Sequence, residues 1–178
     1  MKYLLSIFII IQFFSCSQKT TINETYYYSI FDEENNVKGY FKRIITNNKN
    51  KRVDSIFRYD KQKELQNTRL EEFSIKEGVV KSSNGRDLLI ISKKDSCYSH
   101  FSTSNNEYKS CYLGKSKLNL TDMAYDNSYK FLITEIITDG LSNYRYYDED
   151  FVLLRQEYKD GFLDYYRIDR VNKIEGLK

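Results

Sequence analysis

From Tyr26 to Val171 the chain is a succession of short apolar, aromatic-rich runs, each ended by a cluster of Asn, Asp, Ser or Gly. The separators are residues 32–36 (DEENN), 47–51 (NNKNK), 60–64 (DKQKE), 83–85 (SNG), 139–140 (DG), 148–150 (DED) and 159–161 (KDG). Asn-Gly and Asp-Gly between apolar runs are strong hairpin signals, because both residues tolerate the positive φ that a tight turn needs. The chain has 17 Tyr and 11 Phe but no Pro and no Trp. Tyr and Phe suit a pleated, half-buried surface, and without proline every residue can donate a ladder hydrogen bond. Neighbouring runs joined by tight turns pair as antiparallel hairpins. The pattern therefore predicts a mainly β protein, an antiparallel meander forming a curved sheet or incomplete barrel, with one or two short helices.

The expected strands are 26–31, 37–46, 53–59, 65–75, 78–81, 87–92, a hairpin over 95–113, 129–138, 141–147, 151–158 and 162–171. Gly39 interrupts its run as a bulge glycine would. The 65–75 segment contains good helix formers, but its neighbours on both sides are strands, which favours a strand there. Residues 118–125 (LNLTDMAY) are the best helix candidate, with Thr121 as N-cap and Asp122 in the first turn.

Residues 1–16 (MKYLLSIFIIIQFFSC) have a different composition. Lys2 precedes an oily run that ends in Ser15-Cys16. The run is shorter than the roughly 20 apolar residues a membrane span requires, and it has the layout of a removable export signal. The Phe-rich stretch ending Phe14-Ser15-Cys16-Ser17 resembles the lipoprotein signals of Bacteroidetes, although Phe13 stands where the strict motif has Leu. That resemblance implies cleavage before Cys16, lipidation of Cys16, and anchorage in the cell envelope, at the outer membrane. The expected organisation is a signal peptide over 1–15, a lipidated tether over 16–25, and one β domain over 26–178. The expected meander is also similar in architecture to the half-barrel lipoprotein carriers of the bacterial envelope.

The chain has three cysteines, Cys16, Cys97 and Cys111. With Cys16 acylated, Cys97 and Cys111 remain as an even pair in an oxidising compartment. A loop at 103–105 sets Phe101 opposite Glu107, His100 opposite Tyr108 and Cys97 opposite Cys111, which places the two thiols for a disulfide. The net charge is +3, or one less without Lys2, so nothing argues for a nucleic-acid partner. The single histidine, His100, and three cysteines are too few for the usual zinc sites. No nucleophile elbow, phosphate loop or dinucleotide fingerprint is present. The acidic turn 148–150 lacks the glycine and distal glutamate of a calcium loop. No catalytic residue, metal or cofactor is therefore expected.

The clustered tyrosines Tyr144, Tyr146, Tyr147, Tyr165 and Tyr166 are candidates for a ligand face, since a tyrosine ring packs while its hydroxyl stays wet. The reading that follows is a non-enzymatic, lipid-anchored envelope protein. Its partners are the membrane, through the anchor, and a protein, glycan or lipid ligand. Two alternatives stay open: a periplasmic hydrolase using paired carboxylates, and an immunity or inhibitor lipoprotein.

Overall fold

The structure, a computed structural model, describes residues 22–48, 50–136, 141–158 and 167–177. Within them the chain forms twelve β-strands: β1 (Ile22–Phe31), β2 (Val37–Asn48), β3 (Lys51–Asp60), β4 (Leu65–Lys76), β5 (Val79–Ser82), β6 (Leu88–Ile90), β7 (Ser96–Phe101), β8 (Glu107–Asn119), β9 (Ala124–Glu135), β10 (Ser142–Tyr147), β11 (Leu153–Tyr158) and β12 (Arg167–Val171). All pairings are antiparallel, and the sheet order is β6-β5-β4-β3-β2-β1-β12-β11-β10-β9-β8-β7. The sheet is thus a meander cut between β6 and β7, with its first strand joined to its last in the middle.

The sheet curls into a nearly closed barrel. At the cut, single contacts replace a ladder. The Thr103 amide donates to the Asn84 carbonyl at 2.8 Å. His100 Nδ1–H donates to the Gly85 carbonyl at 2.9 Å, and Nε2 lies 3.0 Å from Ser110 Oγ. A carbonyl can only accept, so Nδ1 carries a proton and the imidazole is committed to the seam. Its ring also stacks on Tyr108. Gly85 has φ +71°, and a Cβ there would lie 2.5 Å from the Phe101 carbonyl oxygen. The Asn-Gly turn therefore makes the hairpin and also lets the two edges approach.

Alternation along the strands separates inside from outside. Tyr28 and Ile30, Phe73, Val80, Tyr108 and Tyr112, Phe131 and Ile133, Tyr147, Leu153 and Ile168 point inward and form the main core. Tyr28 donates its hydroxyl to the Leu153 carbonyl at 2.9 Å, tying β1 to β11. Outside, Leu118, Leu120, Tyr146 and Leu154 form a satellite cluster with Met123, Tyr125 and Tyr144. Arg155 Nη2 donates to the Asn119 carbonyl and holds the β8–β9 tip against β11.

The strand expectations hold at β1 to β6 and at the cysteine hairpin, whose register pairs His100 with Tyr108 and Cys97 with Cys111. The two sulfurs are bonded. The sheet shifts register between Ile30 and Phe31, opposite Gly39 and Val37, which places the irregularity beside the expected bulge glycine. Three expectations change. Residues 118–125 are the tip of a hairpin, with Leu118 paired to Tyr125 and Leu120 N–H bonded to the Met123 carbonyl at 2.7 Å. Leu118 and Leu120 are both buried, a two-residue period that a helix would have split. No helix occurs among the described residues. Residues 22–25, expected in the tether, belong to β1, because Asn23 to Thr25 pair with Ile44 to Thr46 of β2. The export segment, Cys16 and the turns at 139–140 and 159–161 lie outside the described residues.

Candidate functional site

The interior of the barrel carries charge as well as oil. Along β3, Arg52, Asp54, Ile56 and Arg58 share the inward face, and register sets them opposite Phe73, Glu71, Arg69 and Asn67 of β4. On the other side, Ile56 and Arg58 face Arg43 and Phe41 of β2. Alternation thus places Arg43, Arg52, Arg58 and Arg69 on one continuous inner surface. Arg145 of β10 and Arg86 of the β5–β6 turn complete the set. All six line one cavity of about 290 Å³, with Tyr28, Tyr147 and Tyr158 among its aromatic walls.

The deep arginines are held by counter-charges. Arg52 is 3 % exposed; its Nε lies 2.9 Å from Asp54 Oδ1, and its Nη1 donates to the Phe151 carbonyl at 2.8 Å. The guanidinium also sits over the Phe73 ring, 4.7 Å from its centre. Arg43 approaches Asp54 at 3.3 Å and Glu71 at 3.7 Å. Arg145 pairs with Asp87 and donates to Asn143 Oδ1. Burial pushes the Asp54 carboxyl above its usual range against the pull of Arg43 and Arg52. Burial pulls the Arg145 guanidinium down, but Asp87, Tyr147 and Tyr158 together outweigh it and hold its pKa above the ordinary arginine value. Such pairs cost desolvation and return it in a defined geometry. Here they brace β3 against the β10–β11 turn and β10 against the β5–β6 turn.

Towards solvent the setting changes. Arg58, Asn67, Arg69 and Arg86 are exposed. Arg69 reaches Glu71 at 3.0 Å. β5 joins β4 only from Phe73 onward, so among the described strands the first part of β4 has β3 as its one partner. Asn67 and Arg69 of that stretch line the cavity. Phe151, at φ +57°, turns inward at the far side and stacks on Tyr129. Its unusual backbone is held by Asp148, whose Oδ1 accepts the amides of Asp150 and Val152. Asp148 also pairs with Arg170. The acidic turn at 148–150 is thus a structural cap, and among the described residues no cluster of His, Cys, Asp or Glu could hold a metal.

The tyrosines proposed as one ligand face are divided by the sheet. Tyr147 lines the cavity. Tyr144 and Tyr146 are on the other face, in the satellite cluster, with Lys130 over both rings at 4.6 and 5.1 Å. Tyr165 and Tyr166 lie outside the described residues. Sequence reasoning missed the arginines. Their signal was charge at alternate positions along Arg52-x-Asp54-x-Ile56-x-Arg58, on the face that also buries isoleucine.

The fold and site define an open antiparallel β-barrel with a charged, arginine-lined interior. Two solved structures share that fold. One, from Bacteroides fragilis NCTC 9343, is described as an inferred exported protein with a YmcC-like fold. It aligns with a TM-score of 0.55 and 9% identity over 81% of this chain and 91% of that one. The other, an inferred lipoprotein from Parabacteroides distasonis ATCC 8503, aligns with a TM-score of 0.52 and 9% identity over 85% of this chain and 94% of that one. No protein-family profile and no curated protein matches the sequence.

Proposed function

We propose that this chain is exported, acylated at Cys16, and held at the outer membrane of a bacterial envelope, where its barrel is a non-enzymatic binding module for a small ligand. The observation that carries the binding role is the cavity. At about 290 Å³ it lies at the small end of ligand-pocket sizes, and its polar side chains are fixed by bonds that cross the barrel. The envelope location draws on three separate features. These are the export-type opening of the sequence, the Cys97–Cys111 bond suited to an oxidising compartment, and the fold shared with proteins described as exported and as a lipoprotein. A carboxylate hydrolase has less support, because Glu71 and Asp87 of the cavity wall are each engaged by an arginine.

The anchor is tested by expressing the full chain in a bacterial host, fractionating the cells, and analysing the mature N-terminal peptide by mass spectrometry. Acylated Cys16 in the membrane fraction is expected, with Cys16→Ala moving the protein out of it. An unacylated Cys16 in the native chain would refute the anchored reading.

A further inference from the structure

We infer that the cavity selects an anion: a ligand of about monosaccharide size bearing a phosphate or carboxylate, with that group seated among Arg58, Arg69 and Arg86. This deepens the binding-module reading and rests on it.

Charge is the first argument. Among the described residues, six guanidiniums line the cavity, while Arg43, Arg52, Arg69 and Arg145 pair with Asp54, Glu71 and Asp87. Among these residues cations exceed anions, and they do so inside a curved wall of low polarizability. Such a wall focuses the field and concentrates counter-ions of the opposite sign.

Location is the second argument. Asp54 and Asp87 are engaged with the deep arginines, Glu71 lies between Arg43 and Arg69, and all three are buried or half-buried. The exposed part of the cavity wall presents Arg58, Arg69 and Arg86. A planar guanidinium offers parallel N–H groups that match the oxygens of a carboxylate or phosphate. Three of them, from two strands and a turn, line this one cavity and supply several such forks for a polyoxygen anion.

The rest of the wall indicates what the anionic group is attached to. Asn67, Asn84 and Gln156 supply amides that donate and accept, and Phe41 and Tyr158 supply flat ring faces. Amides beside aromatic rings suit a body with both hydroxyls and apolar faces. A free anion and the headgroup of a phospholipid share this chemistry.

The test uses the mature, anchored protein in detergent, with isothermal titration calorimetry against glucose 6-phosphate, glucuronate and neutral glucose. A second arm measures co-sedimentation of the Cys16→Ala protein, which has no acyl chain to insert, with vesicles of phosphatidylglycerol or of phosphatidylcholine. Binding of the sugar anions at least tenfold tighter than glucose, weakening with added salt, supports a soluble ligand. Retention on phosphatidylglycerol vesicles alone, without binding of the sugar anions, supports a headgroup. In either case Arg58→Gln, Arg69→Gln and Arg86→Gln should each weaken binding several-fold, while Lys81→Gln, an equal charge change on an exposed residue of β5 outside the cavity wall, should not. The inference is overturned if glucose binds as well as its anions, if neither arm shows binding, or if Lys81→Gln weakens binding as much as the cavity variants. The anion-versus-glucose comparison needs no variant, so a variant that fails to fold does not block the test. The acylation state of Cys16 is read separately, so failure here is distinct from failure of the anchor.

Discussion

Arg52 is the residue whose removal most directly tests the internal bracing of the barrel. Its side chain is almost fully buried, ion-paired with Asp54, bonded to the Phe151 carbonyl and laid over the Phe73 ring. Arg52→Met keeps most of the volume and removes the charge and all the donors. Breaking a buried pair by deleting one partner costs ~3–5 kcal/mol. Asp54 retains Arg43 at 3.3 Å, which favours the lower end of that range. The abandoned Phe151 carbonyl adds ~1 kcal/mol if water cannot reach it. The expected loss is therefore ~3–4 kcal/mol, or roughly 10 °C in Tm for a domain of this length.

Urea denaturation should show a lower midpoint with an unchanged slope. The deficit should also depend on pH. Burial raises the Asp54 pKa in the folded state, so the native state binds its proton more tightly than the unfolded state does. That contribution is complete in acid and is lost as pH rises past the ordinary carboxylate range. Removing Arg52 raises the Asp54 pKa further, so the deficit is larger at neutral pH than in mild acid. A cycle with Asp54→Asn completes the test. The double variant should cost ~2 kcal/mol less than the sum of the single variants, since the two residues share one network. A loss below ~1 kcal/mol for Arg52→Met, or additivity of the two substitutions, would show that this ion pair does not brace the barrel.

Two further outcomes follow from the same geometry. Gly85→Ala places a Cβ 2.5 Å from the Phe101 carbonyl oxygen at φ +71°; the left-handed backbone alone costs ~1–2 kcal/mol, and the clash should also release the seam. Hydrogen exchange should then speed up at Thr103, and unchanged protection there would refute the role given to this turn. Burial raises the Tyr28 pKa from 10.0 to about 12, against the neighbouring Arg43 and Arg170 charges. Tyr28 therefore contributes stability that is complete below the ordinary tyrosine value and disappears as pH climbs towards about 12. Tyrosinate absorbance of Tyr28→Phe against the parent chain should show one late-titrating group missing, and loss of an ordinary group would contradict the burial.

Strand positions were legible because they are local. An apolar run that stops at Asn-Asn or Asn-Gly is enough to mark a strand and its turn, and the 97–111 register followed from counting outward from one loop. The 118–125 segment misled because one or two turns of helix and a hairpin tip use the same residues, Thr and Asp included. The satellite cluster formed by Leu118, Leu120, Tyr146 and Leu154 decides between them, and two of its members, Tyr146 and Leu154, are remote in sequence.

The same division holds for the site. Alternation along a strand determines that Arg52, Asp54, Ile56 and Arg58 share a face, and nothing beyond sequence is needed for that. Whether the face is wet or enclosed depends on how far the sheet curls, and curling is a sum over every strand pair and over the Gly85–His100 seam. Tyr144, Tyr146 and Tyr147 show the consequence. They are near-neighbours in sequence, yet Tyr147 faces the cavity while the other two face out, because a strand sends successive side chains to opposite sides. Composition and turn spacing determined that this chain is an antiparallel meander. Only closure of that meander brought arginines from β2, β3, β4, β10 and the β5–β6 turn around one space, since their proximity is a long-range property that no local pattern encodes.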